Sequence, residues 1–126
     1  MRRWDLTSLS RDAGQPRVLF SEPEGRAVVI DLAAGQALGD HQVRERALLH
    51  VVSGTVRIEA ADTAVECPAG TTITFEPGEA HSVRALADAR LLLVLTPWPG
   101  AAHYADGALG GERLPANAMA EPLPDR

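Results

Sequence analysis

The sequence predicts an all-β protein, a single antiparallel β-barrel or jelly roll that ends in a short irregular C-terminal tail. Three observations favour this fold class. Short runs rich in apolar and β-branched residues recur along the first 97 residues, and glycine, proline and aspartate separate them. No run has a helical period long enough to connect parallel strands. Eleven glycines and nine prolines in 126 residues supply the many turns that such a fold needs.

Each predicted strand is one of these runs. TVRIEA alternates apolar and polar residues, as expected when one face is buried, whereas LLLVL in the last run should be buried on both faces. Ser53-Gly54 lies between two runs and is a tight hairpin signal, and AAGQALGDH at 33–41 is predicted to be a glycine-rich turn. The predicted strands cover residues 17–20, 26–33, 47–52, 55–60, 64–67, 71–76, 81–86 and 89–96.

The chain length fits one domain with a single core. We expect an N-terminal arm and first strand over residues 1–25, the barrel core over 26–97, and a partly flexible C-terminal segment over 98–126. The last boundary follows Pro97, after which alanine, glycine and proline dominate the composition. The residues from Trp98 to about Tyr104 are predicted to pack on the barrel or on a partner subunit, and the rest of the segment to form a mobile tail.

Composition argues against several classes of partner. A net charge of −5 is unfavourable for nucleic-acid binding, and no apolar stretch is long enough to span a membrane. The N-terminus has no apolar core of a secretory signal, and a single cysteine cannot form an internal disulfide. We therefore expect a cytoplasmic protein in which Cys67 is a small buried hydrophobe.

Two segments contain the residues that bear on function. The first, GQALGDHQVRERALLHVVSG, runs from Gly35 to Gly54 and includes His41. The second, GTTITFEPGEAH, runs from Gly70 to His81. Together they resemble the two motifs of the cupin superfamily: glycine, five residues, His-x-His, three or four residues, glutamate, six residues and glycine; then glycine, five residues, Pro-x-Gly, two residues, histidine, three residues and asparagine. The resemblance covers residues 28–96 and implies an RmlC-like double-stranded β-helix.

The resemblance also implies a metal site that is incomplete in this chain. Metal-binding cupins hold a divalent ion with three histidines and one glutamate. His41 and His81 occupy two of those positions, whereas Val43 stands at the second histidine position and Ala47 at the glutamate position. Since transition metals usually need at least three protein ligands, we expect no resident cofactor.

The family fold directs the two histidine positions into one cavity, which here would be mostly apolar. Such a cavity with few polar groups suits a small organic ligand. Glu45 is expected to be solvated in the turn before the strand, and His50 to point away from the interior. The predicted lining residues are Val43, Ala47, Leu49, Val51, Val83 and Ala85.

These observations favour a small-molecule-binding barrel that works as a homodimer, with LLLVL and Pro97-Trp98-Pro99 as the interface. One alternative is a metal-dependent cupin enzyme, an oxygenase or isomerase, that binds Fe, Mn, Ni or Zn through His41 and His81. Another is the sensing module of a system whose output domain is encoded elsewhere. The sequence identifies no catalytic residue and assigns no reaction.

Overall fold

The computed structural model describes residues 1–41, 44–98 and 120–124, with the backbone alone at 39–41. Within these ranges the secondary structure consists of nine β-strands and no α-helix. The strands are β1 Arg17–Glu22, β2 Gly25–Leu32, β3 Ala37–His41, β4 Arg46–Ser53, β5 Thr55–Ala60, β6 Thr63–Pro68, β7 Thr72–Phe75, β8 His81–Ala85 and β9 Ala89–Thr96. The described part of the chain contains no helix long and apolar enough to cross a membrane.

The strands form two antiparallel sheets. The larger sheet has the order β1-β2-β9-β4-β7 and the smaller one the order β3-β8-β5-β6. Every strand pair in both sheets is antiparallel. This confirms the predicted all-β jelly-roll class, although no backbone pairing between described strands closes the two sheets into a barrel.

Eight of the strands were predicted, and their ends agree with the prediction within two residues. The prediction of a turn at residues 33–41 is wrong in part, because β3 occupies Ala37–His41. This segment contains glycine and aspartate, which disfavour strands, and long-range pairing with β8 overrides that local preference.

The prediction of a hairpin at Ser53-Gly54 is also wrong. The two flanking strands lie in different sheets, so this turn carries the chain from the larger sheet to the smaller one. Gly54 has a φ of 79°, and a Cβ atom there would overlap the carbonyl oxygen of Asp88 and the Cα of Ala89. Glycine is therefore required both by the backbone angle and by the close approach of the turn before β9.

Two layers of apolar side chains stabilise the fold. The inward residues of both sheets form the main core, in which the Cys67 side chain is 3% exposed, and burial raises the pKa of its thiol. The outer face of the larger sheet is covered by the N-terminal arm through Trp4, Leu6 and Leu9. LLLVL in β9 thus contributes to both layers, because alternate residues face the core and the arm.

Candidate functional site

A row of four inward side chains crosses one end of the larger sheet. The strand register aligns Arg26 with Leu95, Leu95 with Ala47, and Ala47 with Phe75. All four residues are buried. This end of the sheet also lies beside His81, because the His81 ring stacks on the ring of Phe75 with centroids 3.7 Å apart and an interplanar angle of 5°.

The two histidines predicted as metal ligands come together in the smaller sheet. The register of β3 and β8 aligns the Cα of His41 with that of His81, beyond an irregularity that follows Leu38. The two positions are therefore neighbours across one pair of strands, although they are 40 residues apart in the sequence. Their role as metal ligands stays a prediction.

His81 is held in a defined orientation. Its side chain is 6% exposed, and Nδ1 lies 3.2 Å from the carbonyl oxygen of Glu79. In the neutral ring this contact assigns the proton to Nδ1, which donates to the carbonyl and makes Nε2 the accepting nitrogen. The stack on Phe75 fixes the plane of the ring, so the site has an oriented imidazole.

The prediction that Glu45 is solvated is wrong, because this residue is only 2% exposed. The reason is strand parity. Ala47 and Leu49 face the core, and the same alternation continues back to Glu45, just before β4 begins at Arg46. This alternation is visible in the sequence and would have predicted that the Glu45 carboxylate points into the core.

The predicted lining residues pack within the main core. Five of the six are described, and each is at most 2% exposed; these are Ala47, Leu49, Val51, Val83 and Ala85. Val43 lies outside the described residues. A ligand cavity at these positions stays a prediction. His50 alternates with the inward residues of β4, as expected, and its Nδ1 lies 2.6 Å from the Thr72 hydroxyl oxygen.

The side chains at this end of the sandwich do not supply the three histidines and one glutamate that metal-binding cupins use. Within residues 1–38, 44–98 and 120–124, whose side chains are described, no group of three or more His, Cys, Asp or Glu side chains is placed to hold a metal ion. Val43 and Ala47 offer no donor atom at the remaining two ligand positions. The set therefore does not fit a divalent ion bound by three histidines and a glutamate.

Arg26 is a site residue that the sequence did not reveal as one. It is 9% exposed, and its guanidinium carbon lies 4.8 Å from the centroid of the Trp98 ring. Its Nε is buried and has no hydrogen-bond partner among the described residues. Burial lowers the pKa of Arg26. The strand alternation would again have predicted this burial, because Arg26 lies two and four residues before Val28 and Ile30, which face the core.

Trp98 packs beside Arg26 at the same end of the sandwich. It follows β9 and is 4% exposed, and its amide donates to the carbonyl oxygen of Pro23 at 3.0 Å. The prediction that Trp98 packs on the barrel is confirmed. The rest of the predicted C-terminal segment, apart from residues 120–124, lies outside the described residues.

A separate groove of about 540 Å³ lies on the smaller sheet along β3, β8 and β5. Its charged groups already have partners within the chain. Arg57 pairs with Glu59 at 3.5 Å, and Arg84 donates to the carbonyl oxygen of Gly35 at 3.0 Å. At the Arg26 end of the sandwich, by contrast, the buried Nε of Arg26 has no hydrogen-bond partner among the described residues.

Comparison with known proteins supports the fold and indicates the protein family. A family described as the AraC-like ligand binding domain matches residues 29–114. A solved structure of a conserved protein of unknown function from Streptococcus pyogenes is 26% identical, with a TM-score of 0.66 over 75% of this chain and 85% of that chain. An RmlC-like cupin protein from Desulfovibrio desulfuricans is 21% identical, with a TM-score of 0.69 over 77% and 97%. A cupin superfamily protein from Desulfitobacterium hafniense is 11% identical, with a TM-score of 0.67 over 73% and 86%. No curated protein matches the chain.

Proposed function

The chain belongs to the AraC-like ligand-binding domains of the cupin superfamily, and on that premise we propose that it binds a small organic molecule at the Arg26–His81 end of its sandwich. This proposal rests on the combination of side chains at that end of the sandwich. A row of apolar side chains is flanked by one guanidinium and one oriented imidazole. Few polar groups in an apolar setting are typical of small-molecule sites.

In this proposal the histidines recognise the ligand rather than a metal ion. The loss of donor atoms at Val43 and Ala47 leaves a degenerate metal site. With Nδ1 of His81 donating to the Glu79 carbonyl oxygen, the acceptor nitrogen of the neutral ring is Nε2, and we propose that the imidazole contributes to recognition of the ligand. A histidine can also exchange a proton near neutral pH.

A thermal-shift screen with small organic acids, phenols and sugars tests the proposal. Binding to the folded state raises the melting temperature by mass action. His81→Ala should abolish the rise for the compound found. His50→Ala is the matched control, because this histidine lies on the other face of β4 and should keep it. The proposal is wrong if no compound in the screen stabilises the protein, or if both variants lose the response equally.

The alternative is a metal-dependent enzyme, and the burial of Glu45 favours it. His41, Glu45 and His81 would then supply three donor residues, with Fe, Mn, Ni or Zn as the ion. This alternative predicts about one ion per chain in untagged protein, lost in His41→Ala, as measured by inductively coupled plasma mass spectrometry. Absence of metal after loading would exclude it.

The sensing role is a further alternative, in which ligand binding acts on an output domain encoded elsewhere. The family match supports ligand sensing. The net charge of −5 disfavours direct contact of this chain with DNA. We place this function in the cytoplasm, in line with the expectation from the sequence.

We also propose that the chain forms a homodimer, although through a different surface from the one expected. LLLVL and Trp98 are already packed within the chain, against the core and the N-terminal arm. Leu48 and Val52 of β4 remain half-buried on the outer face of the larger sheet. Light scattering of the purified protein should give twice the chain mass, and Leu48→Arg should give the single-chain mass. A wild-type protein of single-chain mass would contradict this.

A further inference from the structure

We propose that Arg26 binds an anion and that the ligand of this chain carries a carboxylate, which the Arg26 guanidinium holds. The inference rests on the proposed small-molecule function, and it names the chemical class of the ligand and the residue that selects it.

The backbone pairing of β2 determines the face of the sheet on which the Arg26 side chain lies. Arg26 is the second residue of β2, and seven aligned residue pairs join β2 to β9. Its alternation with Ala27, which belongs to the outer layer, directs it to the inner face. There it is 9% exposed and lies against the ring of Trp98.

The guanidinium lacks the anionic partner that the buried Arg90 and the partly buried Arg17 have. Arg90 donates to Asp31 at 2.6 Å, and Arg17 donates to the same carboxylate at 2.7 Å. No described carboxylate forms an ion pair with Arg26, and its Nε has no hydrogen-bond partner among those residues. Removing a cation from water is costly unless an opposite charge replaces the hydration. The face of Trp98 offsets part of that cost, and a bound anion would supply the rest.

A monocarboxylate is the anion that fits best. A guanidinium is planar and presents parallel N–H groups that match the two oxygens of a carboxylate. Glu45 is also buried next to the row that contains Arg26, so a ligand with one negative charge is repelled less than a phosphate, which carries nearly two at neutral pH. Leu95 and Ala47 follow Arg26 in the row, so the body of the ligand that lies beside them is apolar.

Fluorescence of Trp98 gives a direct readout at this position. The chain has two tryptophans, so Trp4→Phe leaves Trp98, beside Arg26, as the single tryptophan, which excitation at long wavelength selects over the one tyrosine. In that background we would titrate benzoate and, as the neutral molecule of the same shape, benzamide. Benzoate should change the emission saturably and bind at least about 30-fold more tightly than benzamide, since loss of one partner of a buried charge pair weakens binding by that factor or more.

Variants at Arg26 then test whether this residue causes the preference for benzoate over benzamide. Arg26→Met keeps the apolar stem and should remove the preference for benzoate, while Arg26→Lys should keep part of it. Arg57→Met, on the smaller sheet, is the matched control and should leave both titrations unchanged. Far-ultraviolet circular dichroism verifies that each variant is folded. If Arg26→Met is unfolded, Arg26→Lys decides, because full affinity in that variant would contradict bidentate recognition.

The outcomes separate this inference from the proposed function. Equal binding of benzoate and benzamide, both lost in His81→Ala, overturns the role of Arg26 and keeps a small-molecule site. Full benzoate affinity in Arg26→Met overturns it as well. No response to benzoate or benzamide overturns the carboxylate inference, and the thermal-shift screen then decides the proposed function separately.

Discussion

Asp31 and Arg90 lie directly opposite each other on β2 and β9 and form a doubly hydrogen-bonded ion pair beneath the N-terminal arm. Arg90 Nε donates to Asp31 Oδ1 at 2.6 Å, and Nη2 donates to Oδ2 at 2.9 Å. The Asp31 side chain has no exposed area. Arg90 also donates to the carbonyl oxygens of Leu6 and Ser10, and the Asp12 amide donates to Asp31. The pair therefore fastens the arm to the sheet.

Asp31→Asn should destabilise the protein severely. The change leaves Arg90 buried without its counter-charge, and breaking a buried pair in this way costs about 3–5 kcal/mol. That is a large part of the roughly 5–15 kcal/mol that stabilises a typical domain. Urea unfolding followed by circular dichroism measures the loss. Glu76→Gln is the matched control, because its ion pair with Arg46 is exposed and should contribute little. A similar small effect of both changes would contradict this role of Asp31.

Stability should fall with acid through the same carboxylate. Burial raises the pKa of Asp31, but hydrogen bonds from Arg90 and the Asp12 amide, with the charges of Arg90 and Arg17, outweigh it and hold the pKa below its ordinary value. Because the folded pKa is below the unfolded value of about 3.9, the stabilisation is complete above that pH and is lost as the pH falls through the folded pKa. The difference in unfolding free energy between wild type and Asp31→Asn should therefore shrink below about pH 4. A difference that stays constant down to the lowest pH at which both proteins fold would contradict this.

Two glycine variants test the turn between the sheets. Gly54→Ala should cost at least about 3 kcal/mol, because the new Cβ would overlap the Asp88 carbonyl oxygen and the backbone at Ala89. Gly70→Ala is the matched control. Gly70 has a φ of 93° with no atom within 4 Å of the new Cβ, so only the backbone angle is penalised, by about 1–2 kcal/mol. Equal losses of stability would show that the close approach at Gly54 is unimportant.

Restoring the missing donor residues should restore metal binding. Val43→His with Ala47→Glu returns the family pattern at both substituted ligand positions, next to His41 and His81. We expect the double variant to bind about one divalent ion per chain and to be stabilised by it, since three or four protein ligands suffice for such ions. Metal titration followed by the melting temperature measures this, with Val43→His alone as the control. A folded double variant that binds no metal would contradict the assignment of these positions.

The sequence predicted the parts of the fold that depend on local pattern. Alternation and turn residues located eight of the nine described strands, and motif spacing identified the superfamily. It failed where long-range pairing decides, since β3 forms on β8 despite a sequence that disfavours strands. Likewise, no local signal states that the strands beside Gly54 belong to different sheets.

The candidate site was predicted in part for a similar reason. Motif matching located His41 and His81, whose backbones the structure aligns. Arg26 lies outside both motifs and Glu45 stands at none of their conserved positions, and charged residues at strand ends are usually solvated. Their burial follows from parity with apolar neighbours, together with the position of Trp98. Only a folded sheet shows that Arg26 and Ala47 share one row.

Native mass spectrometry of the untagged protein tests the central claim, that this end of the sandwich holds a small organic molecule rather than a metal ion. We expect that each chain carries no metal after exposure to Fe, Mn, Ni and Zn, and that it retains an added organic acid from the screen until the protein is denatured. One tightly held divalent ion per chain, with no organic ligand retained, would contradict it.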